Sequence, residues 1–133
     1  MEYTIEVKRT PQFFYINAMS ESDGRIGKLG IEFIDSYSRY SEYCRGEKTA
    51  KIIYVITNLS HCGKGVATEL LNNAIDFFGD EYNLYLNVIP IARQGESLNH
   101  TNVKGLTKFY EKFGFEVCKD DVCVRTMIRK ANI

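Results

Sequence analysis

The sequence predicts an α/β domain: a mixed, mostly antiparallel, twisted sheet built around one β-α-β unit, with two main helices. Three observations predict it. An apolar run, Ile52–Ile56, leads through a glycine turn into an amphipathic helix and then into a second strand-like run, Tyr82–Val88. Strand, helix, strand of this length implies a parallel pair with a right-handed crossover. Asp23-Gly24 is a hairpin signal between two strand-like runs, and Asp120-Asp121 stands in a similar place near the end, so the flanking strands are antiparallel. Val66–Phe78 and Val103–Phe113 repeat apolar residues at three and four, the period of a half-buried helix. A chain of 133 residues is read as one domain, residues 1–133, long enough to bury a core.

Taken in order, Tyr3, Ile5 and Val7 alternate with Thr4, Glu6 and Lys8, as in a half-buried strand that Pro11 ends. Phe13–Met19 is an aromatic-rich strand, and Arg25–Ile34 follows with Leu29, Ile31 and Phe33 on one side. Asp35–Thr49 is polar and tyrosine-rich, with Tyr37, Tyr40 and Tyr43 three apart and Arg39 and Arg45 among them. It reads as a short helix packed by its tyrosines, as a base-stacking surface, or as cover for a substrate entrance. Balanced charge favours the first over the second.

In the first main helix Val66, Ala67, Leu70, Leu71, Ala74, Ile75 and Phe78 form one face. Thr68, Glu69, Asn72, Asn73 and Asp76 form the other, and Gly79 fits the stop. Leu84, Leu86 and Val88 then alternate with Tyr85 and Asn87. Ile89–Asn102 is a long loop holding Pro90, Gly95, Glu96 and His100, of a length that in small domains is functional or mobile. Leu106, Phe109, Tyr110 and Phe113 share a face of the second helix, Gly114 fits its stop, and Phe115 closes back on the last turn. Phe115–Lys119 and Val122–Arg129 make a final hairpin.

The chain is organised around Lys51–Phe78. A strand, a glycine loop and a helix start aim unpaired backbone N–H groups at an anion, and the helix dipole adds partial positive charge there. Gly63–Thr68 is therefore a candidate phosphate seat, although Gly-x-Gly at such a place also serves as a plain tight turn. A Walker loop is excluded, because Asn58 and Gly65 stand where it needs glycine and Ser or Thr. A dinucleotide fingerprint is excluded too, because Thr68 stands at its third glycine.

Cys62-Gly63-Lys64-Gly65-Val66-Ala67, followed by Leu70-Leu71, resembles the pyrophosphate loop of the GNAT superfamily of acyl-CoA-dependent N-acyltransferases. That loop usually reads Arg or Gln, two residues, Gly, one residue, then Gly or Ala. Phe109-Tyr110-Glu111-Lys112-Phe113-Gly114-Phe115-Glu116 resembles the family's late helix-to-strand block, Tyr-Glu-Lys-x-Gly-Phe, at the expected distance. Two motifs in the right order are more specific than either alone, and the resemblance spans Lys51–Arg129. It implies an N-acetyltransferase with acetyl-CoA as cosubstrate and a primary amine of a small molecule or protein as acceptor.

In that reading Val55, Ile56 and Thr57 meet the acyl end, where the two parallel strands splay apart. Cys62, Gly63, Lys64, Gly65, Val66, Ala67 and Thr68 hold the diphosphate, and Tyr110 is the catalytic general acid. Three departures are visible. Cys62 replaces the opening Arg or Gln, leaving Lys64 as the nearest fixed positive charge. Val103, next to Asn102, occupies the place of the family's Asn ahead of the late helix. The chain is also compact, with no room for the two helices usually inserted between the first two strands.

Acyl transfer to an amine sets three demands. A lysine-like amine lies about 3.4 units above neutral pH, so removing its proton costs roughly 4.6 kcal/mol. The thioester carbonyl needs a donor, which backbone N–H groups near Val55–Thr57 can supply. The departing thiolate needs a proton, the role given to Tyr110. Candidates for the base are Glu32, Glu96 and His100, and a base acting through water fits equally.

Other classes are constrained by composition. Lys plus Arg and Asp plus Glu are both 17, which argues against a protein that lives on nucleic-acid phosphates or anionic lipid. No apolar run reaches the roughly 20 residues that span a bilayer, and Met1–Thr10 has no signal-peptide pattern. The expected place is the cytoplasm. Cys44, Cys62, Cys118 and Cys123 lack zinc spacing and read as free thiols, with no metal. Cys62 near a helix start could carry a lowered thiol pKa. Oligomeric state, a homodimer included, is open. The rival reading is a non-catalytic acyl-CoA-binding regulatory or interaction protein.

Overall fold

The computed structural model of the chain describes residues 3–34, 48–58, 65–88, 100–120 and 125–131, with His100, Thr101 and Asn102 given as backbone only. Its elements in order are β1 (Thr4–Arg9), β2 (Phe13–Ser20), β3 (Gly24–Ile34), β4 (Thr49–Thr57), α1 (Val66–Phe78), β5 (Asn83–Val88), α2 (His100–Glu111), β6 (Glu116–Asp120) and β7 (Arg125–Arg129). The strands form one sheet in the order β1-β2-β3-β4-β5-β7-β6. Every neighbouring pair is antiparallel except β4–β5. The mixed, mostly antiparallel sheet around one β-α-β unit is thus present, with two helices. Most of the tyrosine-rich segment and the long loop after β5 fall outside the described residues.

Helix α1 forms for the reason its periodicity gives. Val66, Leu70, Leu71, Ala74 and Phe78 are buried, while Thr68, Glu69, Asn72 and Asp76 face solvent. The buried face lies on Phe14, Ile16 and Ala18 of β2, Leu29 and Ile31 of β3, and Ala50 and Ile52 of β4, all in one core. Each fully buried Leu or Ile contributes about 1.5–3 kcal/mol. Phe33 joins through an edge contact with Phe78, the ring centroids 5.4 Å apart.

Both helices lie on the same face of the sheet. Leu86 pairs with Ile52 on one side and Met127 on the other, and directly paired residues share a face. Ile52 belongs to the α1 core. Arg125, on the Met127 side of β7, donates to Thr107 Oγ1 of α2 at 3.0 Å. Among the described residues no helix covers the opposite face, and β1 runs into β2 through a short turn.

One expectation is revised. β1 is an edge strand rather than a half-buried one. Ile5 is half-buried against the core, but Val7 is 47% exposed, because α1 packs mainly over β2 to β4.

Candidate functional site

Strands β4 and β5 run side by side only from Thr49↔Asn83 to Ile52↔Leu86. Beyond that, β4 continues to Thr57 and β5 to Val88 without pairing each other. The cause is visible in the partner ladder. Gly30 pairs with Tyr54 and Ile31 with Ile52, so Ile53 is an extra residue in β4. A bulge of this kind bends its strand and increases the local twist, here at the point where the parallel ladder ends. Gly30 permits it: a Cβ there would lie 2.6 Å from Tyr54 Cζ and 3.0 Å from Ile53 Cγ1. The Tyr54 ring therefore lies against the bare backbone of Gly30, with Lys28 Nζ 5.0 Å from its centroid.

Val55, Ile56 and Thr57 all lie on this splayed stretch. They still pair with Leu29, Lys28 and Gly27 of β3, but their edge toward β5 is outside any β5 ladder. Ile56 is 40% exposed there.

The start of α1 faces the same end of the unit. Gly65 is the N-cap, with φ 82° and ψ 6°, a left-handed conformation that only glycine adopts without strain. Gly65 has no side chain to cap this end, so among the described residues the N–H groups of Val66, Ala67 and Thr68 lack the usual side-chain acceptor. A Cβ built on Gly65 would meet nothing within 4 Å. An uncapped first turn behind an open glycine suits an incoming diphosphate. Val66, 1% exposed, anchors the turn to the core. Glu69, the acid of the first turn, accepts a hydrogen bond from the hydroxyl of Tyr3, the residue just ahead of β1. Burial first, then that carboxylate, raises the Tyr3 pKa to about 12. Cys62, Gly63 and Lys64 lie outside the described residues.

Tyr110 sits in the last turn of α2, half-buried between Phe109 and Phe115, whose rings meet it edge-on at 5.4 Å and 6.0 Å. Burial raises its pKa above the ordinary tyrosine value, so the phenol keeps its proton at neutral pH. Its carbonyl accepts from the N–H groups of Phe113, at 3.0 Å, and Phe115, at 3.4 Å, which fixes the turn it sits in. Val66 and Tyr110 belong to the same core, on the same face of the sheet.

Of the candidate bases, Glu32 stands opposite Lys51, beside the paired stretch of β4, and accepts from Gln12 Nε2 at 3.0 Å. It is not at the opening. Glu96 and the His100 side chain are outside the described residues, as are Cys44 and Cys123; Cys118 is a free, exposed thiol. Among the described residues no group of three or more His, Cys, Asp or Glu is placed to hold a metal, and no helix is long and apolar enough to cross a membrane. Sequence reading missed the bulge at Ile53. Its signal was available as Gly30, one of two glycines, with Gly27, inside a strand pattern.

The comparisons agree with this geometry. The Acetyltransferase (GNAT) family matches over residues 2–115. No curated protein matches the chain. Among solved structures, a protein from Pyrococcus horikoshii is similar at 22% identity and TM-score 0.63, covering 90% of this chain and 66% of its own, so the chain spans just under two-thirds of that length. NAA60 of Arabidopsis thaliana, solved with a bisubstrate analogue, is similar at 14% identity and TM-score 0.66, covering 91% and 77%. Arabidopsis thaliana Naa50, solved with the bisubstrate analogue CoA-Ac-MVNAL, is similar at 19% identity and TM-score 0.58, covering 86% and 70%. These structures share the fold, and the family match extends over most of the sequence: the chain belongs to the GNAT acetyltransferase family.

Proposed function

We propose that the protein transfers an acetyl group from acetyl-CoA to a primary amine. The observation that carries this is the opening of the β4–β5 pair at the Ile53 bulge, next to the uncapped, glycine-led start of α1. Acetyl-CoA supplies an activated thioester. Gly65 and the N–H groups of Val66, Ala67 and Thr68 hold its diphosphate, with Cys62, Gly63 and Lys64 completing the loop. On the splayed edge the N–H groups of Val55 and Thr57, on either side of Ile56, orient and polarise the acyl carbonyl, where a preorganised donor is worth several kcal/mol; the Ile56 N–H, like that of Asn58, turns toward β3. Tyr110, protonated at working pH, keeps a proton within reach of the departing sulfur. The acceptor amine gives up its proton to a base or to water. It belongs to a small molecule or to a protein; the peptide-like analogue bound by Naa50 supports testing peptides beside small amines. A cytoplasmic setting is part of this proposal.

The test measures thiol released from acetyl-CoA against a panel of polyamines, amino acids, peptides and proteins, alongside thermal melting. Acetyl-CoA at about 100 times its dissociation constant adds roughly 2.7 kcal/mol of stability, so the melting point rises by several degrees while free phosphate does much less. Binding without transfer to any amine would leave the protein an acyl-CoA sensor. Absence of both would overturn the reading.

A further inference from the structure

Arg129 is the last residue of β7, beyond the stretch matched by the family, and its side chain bonds to the ends of both helices. Its Nε donates to the Phe113 carbonyl at 3.0 Å, just after α2, and its Nη1 donates to the Gly79 carbonyl at 3.1 Å, just after α1. Helix ends leave carbonyls unpaired and carry partial negative charge. The last turn of α1 has no basic residue of its own, so this cation comes from across the sheet. One glycine makes room for it: a Cβ on Gly79 would lie 2.7 Å from Nη1. Gly114 is needed for its turn, at φ 91°, and a Cβ there would stand in ordinary contact with Nε at 3.5 Å.

We infer that Arg129 is a positioning residue for the reaction: one guanidinium ties the ends of both helices to β7 and so sets the Tyr110 hydroxyl relative to the coenzyme seat. This rests on the proposed function. Phe113, whose carbonyl Arg129 holds, bonds back to the Tyr110 carbonyl, so the grip acts within one turn of the phenol. The grip on α1 acts at the far end from the seat, where a helix works as a lever. A tilt of about 5° in a rod roughly 18 Å long moves the other end by about 1.5 Å. A misplacement near 1 Å can cost on the order of 10²-fold in rate. Lysine cannot replace this contact, because it offers a point charge where two carbonyls need a planar fork.

The test uses Arg129→Lys and Arg129→Gln in the full chain. Both are expected to lower kcat by about 10- to 100-fold, with KM for acetyl-CoA changed by less than about threefold. Millimolar guanidinium should restore part of the loss in Arg129→Gln. Hydrogen exchange should quicken together at Gly79 and at Phe113–Phe115. A variant whose folded fraction keeps wild-type kcat, or whose two helix ends respond independently, overturns the inference. A wild-type chain that neither binds acetyl-CoA nor transfers acetyl overturns the parent reading and the catalytic half of this one, while the exchange data still decide whether the joint exists.

Discussion

Gly27→Ala probes the link between core packing and the coenzyme seat. Gly27 pairs with Ala18 and Thr57 and lies under the first turn of α1. A Cβ there would sit 2.7 Å from Val66 Cγ1, 3.2 Å from Leu70 Cδ1 and 3.4 Å from the Ile56 carbonyl. Val66 and Leu70 are 1% and 0% exposed, and a β-branched residue in a helix has one strongly preferred rotamer, so the Val66 methyl cannot swing aside. Restoring contact from 2.7 Å to 3.4 Å lifts the start of α1 by 0.7 Å. Overpacking of this kind costs about 1–3 kcal/mol. Loss of unfolded-state freedom offsets about 0.4–1 kcal/mol of that. The net is a destabilisation of roughly 0.5–2 kcal/mol, or about 2–8 °C in melting temperature for a chain of this size. Because the displaced turn carries the Val66–Thr68 N–H groups, acetyl-CoA affinity should fall as well, by about tenfold for each 1.4 kcal/mol lost at the seat. Gly24→Ala is the control: φ is 70° and a Cβ meets nothing, so it should lose about 1 kcal/mol of stability and no affinity. Urea unfolding with and without acetyl-CoA reads both quantities. A Gly27→Ala chain as stable as wild type, with the same acetyl-CoA shift, would refute the claim that the helix start is packed to its limit.

Three further outcomes are expected. Tyr110→Phe keeps the ring contacts with Phe109 and Phe115 and should lower turnover by about 10²–10⁴-fold with acetyl-CoA binding retained; unchanged turnover would remove the phenol from the mechanism. Gly65→Ala forces a side chain into φ 82° and a methyl into the approach path, so the acetyl-CoA-induced rise in melting temperature should shrink, while about 1–2 kcal/mol of strain lowers the melting point without ligand. Tyr3 donates to Glu69 and has its pKa raised from 10.0 to about 12. A raised pKa means the protonated phenol is favoured by folding. Its contribution is thus complete below pH 10 and is lost as pH rises toward 12. The stability gap between wild type and Tyr3→Phe should be flat from neutral pH to about 9 and close above 10; a gap that widens there would contradict the assignment.

How much of this was legible in the residues depends on how local each signal is. The helix α1, its buried face and the parallel crossover were readable because period and loop length report them directly. So was the position of Tyr110 in the last turn of α2, ahead of Gly114 and Phe115. The edge position of β1 was not, since alternation in Thr4–Lys8 is the same whether or not a helix reaches that strand. The bulge was readable only in part. Gly30 marks a close approach, but that the approaching group is Tyr54, and that Ile53 is therefore left over, depends on the register between β3 and β4. Arg129 was invisible because its partners, Gly79 and Phe113, are 50 and 16 residues away, and a single arginine at a strand end has no pattern.

Strand β4 divides into a packed half and an open half. Its first half, Thr49 to Ile52, is buried and laddered on both sides, to β3 and to β5. Its second half, Ile53 to Thr57, is laddered on one side and half-buried or exposed. The extra residue separates the two regimes. A regular strand would have carried pairing with β5 to its end and closed the opening, since unpaired backbone polar groups in a buried setting are costly. An earlier break would have removed Ile52 and Leu86 from the ladder that holds α1 to the sheet. Placing the bulge immediately after Ile52 leaves the α1 core intact below it and frees backbone edge above it. The bulge beside the Gly30–Tyr54 contact therefore marks where the ladder to β5 stops, and with it the opening used in the proposed reaction.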